Sequence, residues 1–251
     1  MISLIPISDA NPTRRFPIVT LMLIALNVVA FIQTPGLGMS DQSTAYFVEN
    51  APAPCQLEDE CPRRPLQVGP STVVEIPDRS FTSFLTATVF ATFLHAGFLH
   101  IAGNMLFLWV FGNNIEDFLG PIKFIAFYLL GGIAASFAHV FTHLDSFIPA
   151  VGASGAVAGV MGAYLILYPR ARVNVLVPIF IIFTVVQLSA WIVLGLWFVY
   201  QFLIGAQELA GAGGVAWMAH VGGFVFGAIA ILLLGGRPQQ PRVRWQPSWR
   251  Y

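Results

Sequence analysis

The chain has 251 residues, of which 57% are hydrophobic and only 10% charged, and its 12 basic and 12 acidic side chains cancel. Soluble domains carry about 25% charged residues, so a mean hydropathy of +0.75 excludes a water-soluble globular domain. Zero net charge without a basic patch argues against nucleic acid as a partner.

Charge-free intervals run over 16–40, 80–115, 124–144, 146–169, 173–207 and 209–236. A helical span needs about 20 apolar residues, so nearly every interval can hold one. In chain order, residues 1–16 form a short cytoplasmic N-terminus carrying Arg14 and Arg15. PIVTLMLIALNVVAFIQ, from Pro17 to Gln33, is the first span. It resembles a signal peptide at its basic start, but no small-x-small cleavage site follows, so it is expected to stay. Residues 34–96 form an extramembrane first loop, polar to about 79 and then dense in Thr and Phe, as an interfacial segment would be. Within it, Cys55 and Cys61 read either as a disulfide facing an oxidising compartment or as two free thiols. A zinc site would want more ligands than this pair supplies.

The second span is expected from Gly97 to Phe118, the third from Ile122 to His143 and the fourth from Ser154 to Tyr168. The interval 173–207 is the awkward one. VNVLVPIFIIFTVVQ is β-branched and broken by Pro178, so 173–187 reads as a hairpin or an interfacial segment. The fifth span then takes 189–206 and the sixth runs from Ala216 to Leu234, which closes a membrane domain over 17–236 and leaves 237–251 as a cytoplasmic tail. Six spans with the N-terminus inside put nine of the basic residues inside and only Arg63, Arg64 and Arg79 outside, as the positive-inside rule asks. The fold class is therefore an all-α polytopic membrane protein of six transmembrane helices.

With six spans, the second, fourth and sixth run in the same direction, and their first two turns share one depth. Those turns carry His100 and Asn104, Ser154, and His220. Polar and ionisable side chains inside a span are costly and are functional by default. The fourth span opens Gly152-Ala153-Ser154-Gly155 and continues to Gly159, while the sixth places Ala219, Gly223 and Gly227 at four-residue spacing. Small residues at that spacing let two helix backbones come close. Ser154 is then the candidate nucleophile and His220 the general base and later acid. The Ser154 N–H, the Asn104 amide and His100 are the candidate oxyanion donors. No carboxylate lies at this depth, so a dyad is expected. The base must be neutral to act, so cleavage is expected to fall on acidification.

His95-x4-His100-x3-Asn104, Gly152-Ala153-Ser154-Gly155 and Ala219-His220-x2-Gly223-x3-Gly227 together resemble the rhomboid intramembrane serine proteases, over roughly residues 10–236. The resemblance implies a six-helix rhomboid-like bundle with a Ser154–His220 dyad in a wet cavity. It implies His100 and Asn104 as oxyanion donors, and His95, Gly152, Gly155, Gly223 and Gly227 as structural groups near the site. Gly112 and Glu116 are similar to the family's inner-end packing motif. The implied partners are the lipid bilayer and membrane-anchored, single-span protein substrates cut near the outer face, with no cofactor, no metal and no nucleic acid. The expected residence is the plasma (inner) membrane of a prokaryote, with both termini cytoplasmic.

Two features depart from the family pattern. The aromatic expected four residues after the nucleophile is Ala158, which leaves the orientation of His220 unexplained, and the first loop has no Trp-Arg pair. His139 and His143 have metal-ligand spacing, but HVFTH lacks the intervening glutamate of a zinc protease and reads as an interfacial pair. Trp191, Trp197 and Phe198 read as an aromatic belt, with lateral gating of substrate as the other reading. Two rivals to an endopeptidase are a catalytically weak or inactive rhomboid-like protein that binds transmembrane helices, and a channel using the same cavity. The channel is disfavoured, since no charged residue lines a continuous path through the inner half.

Overall fold

Long runs without charge become helices here, and the runs rich in β-branched residues become strands. The computed structural model of the chain describes residues 5–57, 61–62, 64–179, 182–209 and 216–239. In chain order it contains β1 (Ile5–Asp9), α1 (Ile18–Gln33), α2 (Asp41–Asn50), β2 (Leu66–Gln67), β3 (Val73–Val74) and α3 (Phe81–Ala91). There follow α4 (Phe98–Leu119), α5 (Pro121–Val140), α6 (Ser154–Leu167), β4 (Arg172–Ile179), β5 (Ile182–Ser189), α7 (Ala190–Leu209) and α8 (Trp217–Leu233). The helices α1 and α4 to α8 match the expected spans to within three residues at every end. The tail beyond 239 and Arg63 lie outside the described residues.

The helix α6 is the hub, with every residue from Gly155 to Tyr164 buried. Its glycines let α8 lie directly on it: side chains added at Gly162, Gly223 or Gly227 would run into the backbone of Phe224, Gly155 and Gly159 respectively. The outside of the bundle is apolar instead of polar. Met22, Leu26, Val29 and Ile32 of α1, Leu196 and Val199 of α7, and Ile229 and Leu233 of α8 are all exposed. Apolar faces turned outward over this many helices belong to a helical membrane protein. Among the described residues, α5 alone is long and apolar enough by itself to cross a membrane, while α1, α3, α6 and α8 are shorter apolar helices.

The expectation of an all-α fold holds for the bundle but not for its periphery. The hairpin β4–β5 pairs antiparallel over 172–189, and β1 adds to its open side in the order β1-β4-β5. Val173, Val175 and Val177 are buried along β4, the period-two pattern of a half-buried strand. The short pair β2–β3 lies in the first loop.

The two ends of the bundle are tied differently. At the end where α1 begins, the buried carboxylate of Glu116 accepts hydrogen bonds from the Val19 N–H at 2.9 Å, the Thr20 N–H at 2.8 Å and the Thr20 hydroxyl at 2.7 Å. It thereby satisfies donors that the first turn of α1 leaves open. Gly112 permits the approach, since a Cβ there would sit 3.2 Å from Thr20 Cγ2. Beside it, Asp9 Oδ2 accepts from Tyr164 OH at 2.6 Å and Asn114 Nδ2 at 2.8 Å, which pins β1 to α4 and α6. At the opposite end the first loop is closed by a Cys55–Cys61 disulfide, which resolves the two readings of that pair. The loop is stitched to the bundle by Cys55 N–H donating to Ser146 O at 2.9 Å and Gly152 N–H donating to Ala91 O at 2.9 Å.

Candidate active site

Ser154 is the first residue of α6, so its N–H belongs to the donors a helix start leaves unpaired. Its Oγ lies 2.8 Å from His220 Nε2, on the first turn of α8. The contact between α6 and α8 sets this distance: Gly155, the residue after Ser154, meets Gly223, one turn after His220, backbone to backbone.

The other ring nitrogen of His220 is also engaged, for Nδ1 lies 2.7 Å from Gln201 Oε1 on α7. The Gln201 Nε2 donates to Trp197 O at 3.1 Å. The Trp197 ring sits 5.8 Å from the His220 ring, centroid to centroid, and stacks on Phe224 at 6.0 Å.

Gly152 adopts φ +129, a backbone region suited to glycine. A Cβ at this residue would fall 2.7 Å from His100 Nε2 and 3.7 Å from Ser154 Oγ. One small atom in that space therefore touches both groups. His100 Nδ1 accepts the Ala96 N–H at 3.3 Å, which leaves the ring proton on Nε2, the nitrogen facing Gly152. The His95 ring packs edge-on to His100 at 5.1 Å and is anchored through Nδ1 to Phe93 O at 3.2 Å. Burial, and after it the neighbouring His100, pushes the His95 ring down to about 4, so it stays neutral. Asn104 lies one turn further along α4, is only 8% exposed, and its Nδ2 has no hydrogen-bond partner among the described residues. A cavity of about 20 Å³, enough for one water-sized group, opens beside Ser154 between Gly132, Ala135, Gly152, Gly155 and Ala219.

A serine hydroxyl 2.8 Å from an imidazole, at a helix start and with the His100 ring close by across Gly152, is equipped for acyl transfer. The Rhomboid domain family matches residues 82–237 of this chain, more than half of it. The chain belongs to the rhomboid family.

Among its rhomboid relatives, the presenilin-associated rhomboid-like protein A, mitochondrial, of Danio rerio is 34% identical over 130 residues, covering 49% of this chain and 34% of that protein. Rhomboid protein 1, mitochondrial, of Saccharomyces cerevisiae is 36% identical over 87 residues, covering 33% and 25%. Rhomboid protease GluP of Bacillus subtilis is 42% identical over 72 residues, covering 29% and 14%. The chain thus spans about a third or less of the length of these curated relatives.

The mitochondrial names correct the expected residence in a prokaryotic plasma membrane. The charge count behind that expectation reports which side of a bilayer a loop takes and carries no information on which bilayer it is.

Ser154, His220, His100, Gly152, Gly155 and Gly223 are brought together, and Gly227 makes the next contact down, on Gly159. Gln201 escaped the sequence reading. The available signal was a lone amide in an apolar run, four residues after Trp197. Trp197, read as part of an aromatic belt or a gate, packs its ring on His220 from α7, a contact the sequence reading did not anticipate, while Ala158 of α6 offers no ring. His139 and His143 stack on each other at 4.7 Å. Among the described residues no group of three or more His, Cys, Asp and Glu side chains gathers.

Proposed function

We propose that this rhomboid is an intramembrane serine endopeptidase cleaving membrane-anchored, single-span proteins, with Ser154 as nucleophile and His220 as its base. The 2.8 Å contact between Ser154 Oγ and His220 Nε2 carries the reading. Oγ attacks the substrate carbonyl carbon while its proton passes to Nε2. The carbonyl oxygen becomes an oxyanion, received by the Ser154 N–H, His100 Nε2–H and Asn104 Nδ2–H. Collapse expels the amine, which takes the proton back from Nε2. Water then attacks the acyl ester with His220 again as base, releasing the acid and restoring Ser154.

Six spans within a domain over 17–236 accommodate the helices α1 and α4 to α8. The 14 residues of α6 rise about 21 Å, against a hydrocarbon core of about 30 Å. With Leu167 at one boundary, Ser154 then lies several ångströms beneath the other, on the side away from the start of α1. A peptide bond in an intact helix has its carbonyl already hydrogen-bonded, so substrates should carry Gly or Pro that loosens the helix near the cut. The small cavity beside Ser154 suits a small side chain at the cut itself. The mitochondrial names of relatives suggest a mitochondrial membrane as residence.

The test is cleavage of a panel of single-span proteins by the purified full chain, its Ser154→Ala and its His220→Ala variants in detergent micelles. Wild type should cut, and both variants should lose about 10⁴-fold or more. A folded wild type that binds the panel but cuts none of it, and resists a fluorophosphonate, would leave a helix-binding protein instead.

A further inference from the structure

We infer that Gln201 is the positioning residue of this site: from α7 it holds His220 in the one tautomer whose free lone pair faces Ser154. This rests on the protease reading above. Gln201 is 3% exposed, so its amide must find its partners inside the protein. Its Nε2 donates to Trp197 O one turn back, and this fixes which end of the amide looks at the histidine. The end that remains is Oε1, which only accepts. A 2.7 Å contact to His220 Nδ1 therefore requires the ring proton on Nδ1. Nε2 is then the acceptor, 2.8 Å from Ser154 Oγ.

In a serine triad the buried carboxylate does two things: it selects the tautomer and it stabilises the imidazolium formed in the transition state. A neutral amide can do only the first. The Trp197 ring, held by stacking on Phe224, limits the imidazole from one side. Orientation of the base thus comes from α7, and the small Ala158 on α6 ceases to be a defect. The bland alternative is a buried amide that merely satisfies two polar neighbours while the helices pack.

The rate of Ser154 labelling by a fluorophosphonate fluorophore separates the two, read on the full chain in micelles between about pH 5 and pH 9. The variants are Gln201→Leu, which removes the acceptor, and Gln201→Glu, which keeps it and adds charge. Wrong-tautomer variants of a triad lose up to about 10⁴-fold, and Gln201→Leu should lose at least about 10²-fold. Gln201→Glu should still label, with the acid limb of its profile moved about one pH unit or more upward, because a carboxylate beside the ring favours its protonated form. A merely structural amide would leave the labelling rate of folded Gln201→Leu unchanged, and one that does not touch the ring would leave the Gln201→Glu pH limb in place. Gln201→Leu labelled at the wild-type rate, or a Gln201→Glu profile superimposed on wild type, overturns the inference, and if the leucine variant fails to fold the glutamate profile decides. An unlabelled wild type instead sinks the protease reading, and this with it.

Discussion

Gly227 of α8 lies against the carbonyl of Gly159 on α6, with no room for a side chain between them. That contact, two turns below the site, sets the separation of the helices that carry Ser154 and His220. Gly227→Ala must push the two backbones apart, because neither side can yield by a rotamer change. Overpacking of this kind costs about 1–3 kcal/mol, or several degrees of Tm for a chain of this size at about 2–4 °C per kcal/mol. Labelling of Ser154 should fall with it. A methyl group added at Gly103 on α4 would meet nothing within 4 Å, so Gly103→Ala should be neutral or stabilising by up to about 1 kcal/mol. Thermal unfolding of both in micelles checks the contrast; equal losses would mean glycine matters here only for chain flexibility.

Asn104 should show activity and stability moving in opposite directions. Its buried Nδ2 has no partner among the described residues, and an unsatisfied buried donor costs about 1–3 kcal/mol. Such a donor is tolerable where an oxyanion will form. Asn104→Ala is expected to cut turnover by about 10²–10³-fold with Tm unchanged or raised. Steady-state cleavage beside a melting curve reads both, and a variant that melts early yet cuts normally would place Asn104 among packing residues.

The helices were legible because a bilayer protein writes them as charge-free runs, and Ser154 and His220 were legible because alternation of spans put them at one depth. What lay beyond reach were pairings between distant segments. That Ile5 would register with Leu176, completing a sheet with a hairpin the sequence left ambiguous, follows from no local pattern. Gln201 was hidden because a single amide in WFVYQFLIG looks like an interfacial residue until α7 is placed beside α8. Glu116 could be read as inner-end packing, but its acceptance of three hydrogen bonds from α1 depends on how α1 and α4 sit together.

Glu116 yields a stability prediction free of the chemistry. Removing its carboxylate leaves the Val19 and Thr20 N–H groups without their acceptor in a buried place. Hydrogen bonds to charged groups contribute about 1.5–3 kcal/mol each, and not additively, so Glu116→Ala should cost about 3–5 kcal/mol. Glu116→Gln keeps one oxygen and should cost about half as much. Both variants, where folded, should retain the pH profile of Ser154 labelling, since this carboxylate stands at the opposite end of α4 from His100. Chemical unfolding in micelles orders the three proteins, and an alanine variant as stable as wild type would show that α1 needs no cap from α4.

Asp9 makes the same end of the molecule sensitive to pH. Burial is the largest influence and raises its carboxyl from 3.8 to about 6, against the opposing hydrogen bonds from Tyr164, which comes next, and Asn114. The folded state thus holds a proton that the unfolded chain has already released. Stability from this group is fully present below about pH 4 and is lost as the pH rises through about 6, the reverse of a salt-bridged aspartate. Two pH units of difference correspond to at most about 3 kcal/mol. Wild type should therefore lose stability between pH 4 and pH 7 relative to Asp9→Asn, which cannot ionise and keeps one acceptor for Tyr164. The difference between the two unfolding curves across that range isolates Asp9 from the histidines, and a difference that is flat with pH would mean that Asp9 ionises in the folded protein as readily as in the unfolded one.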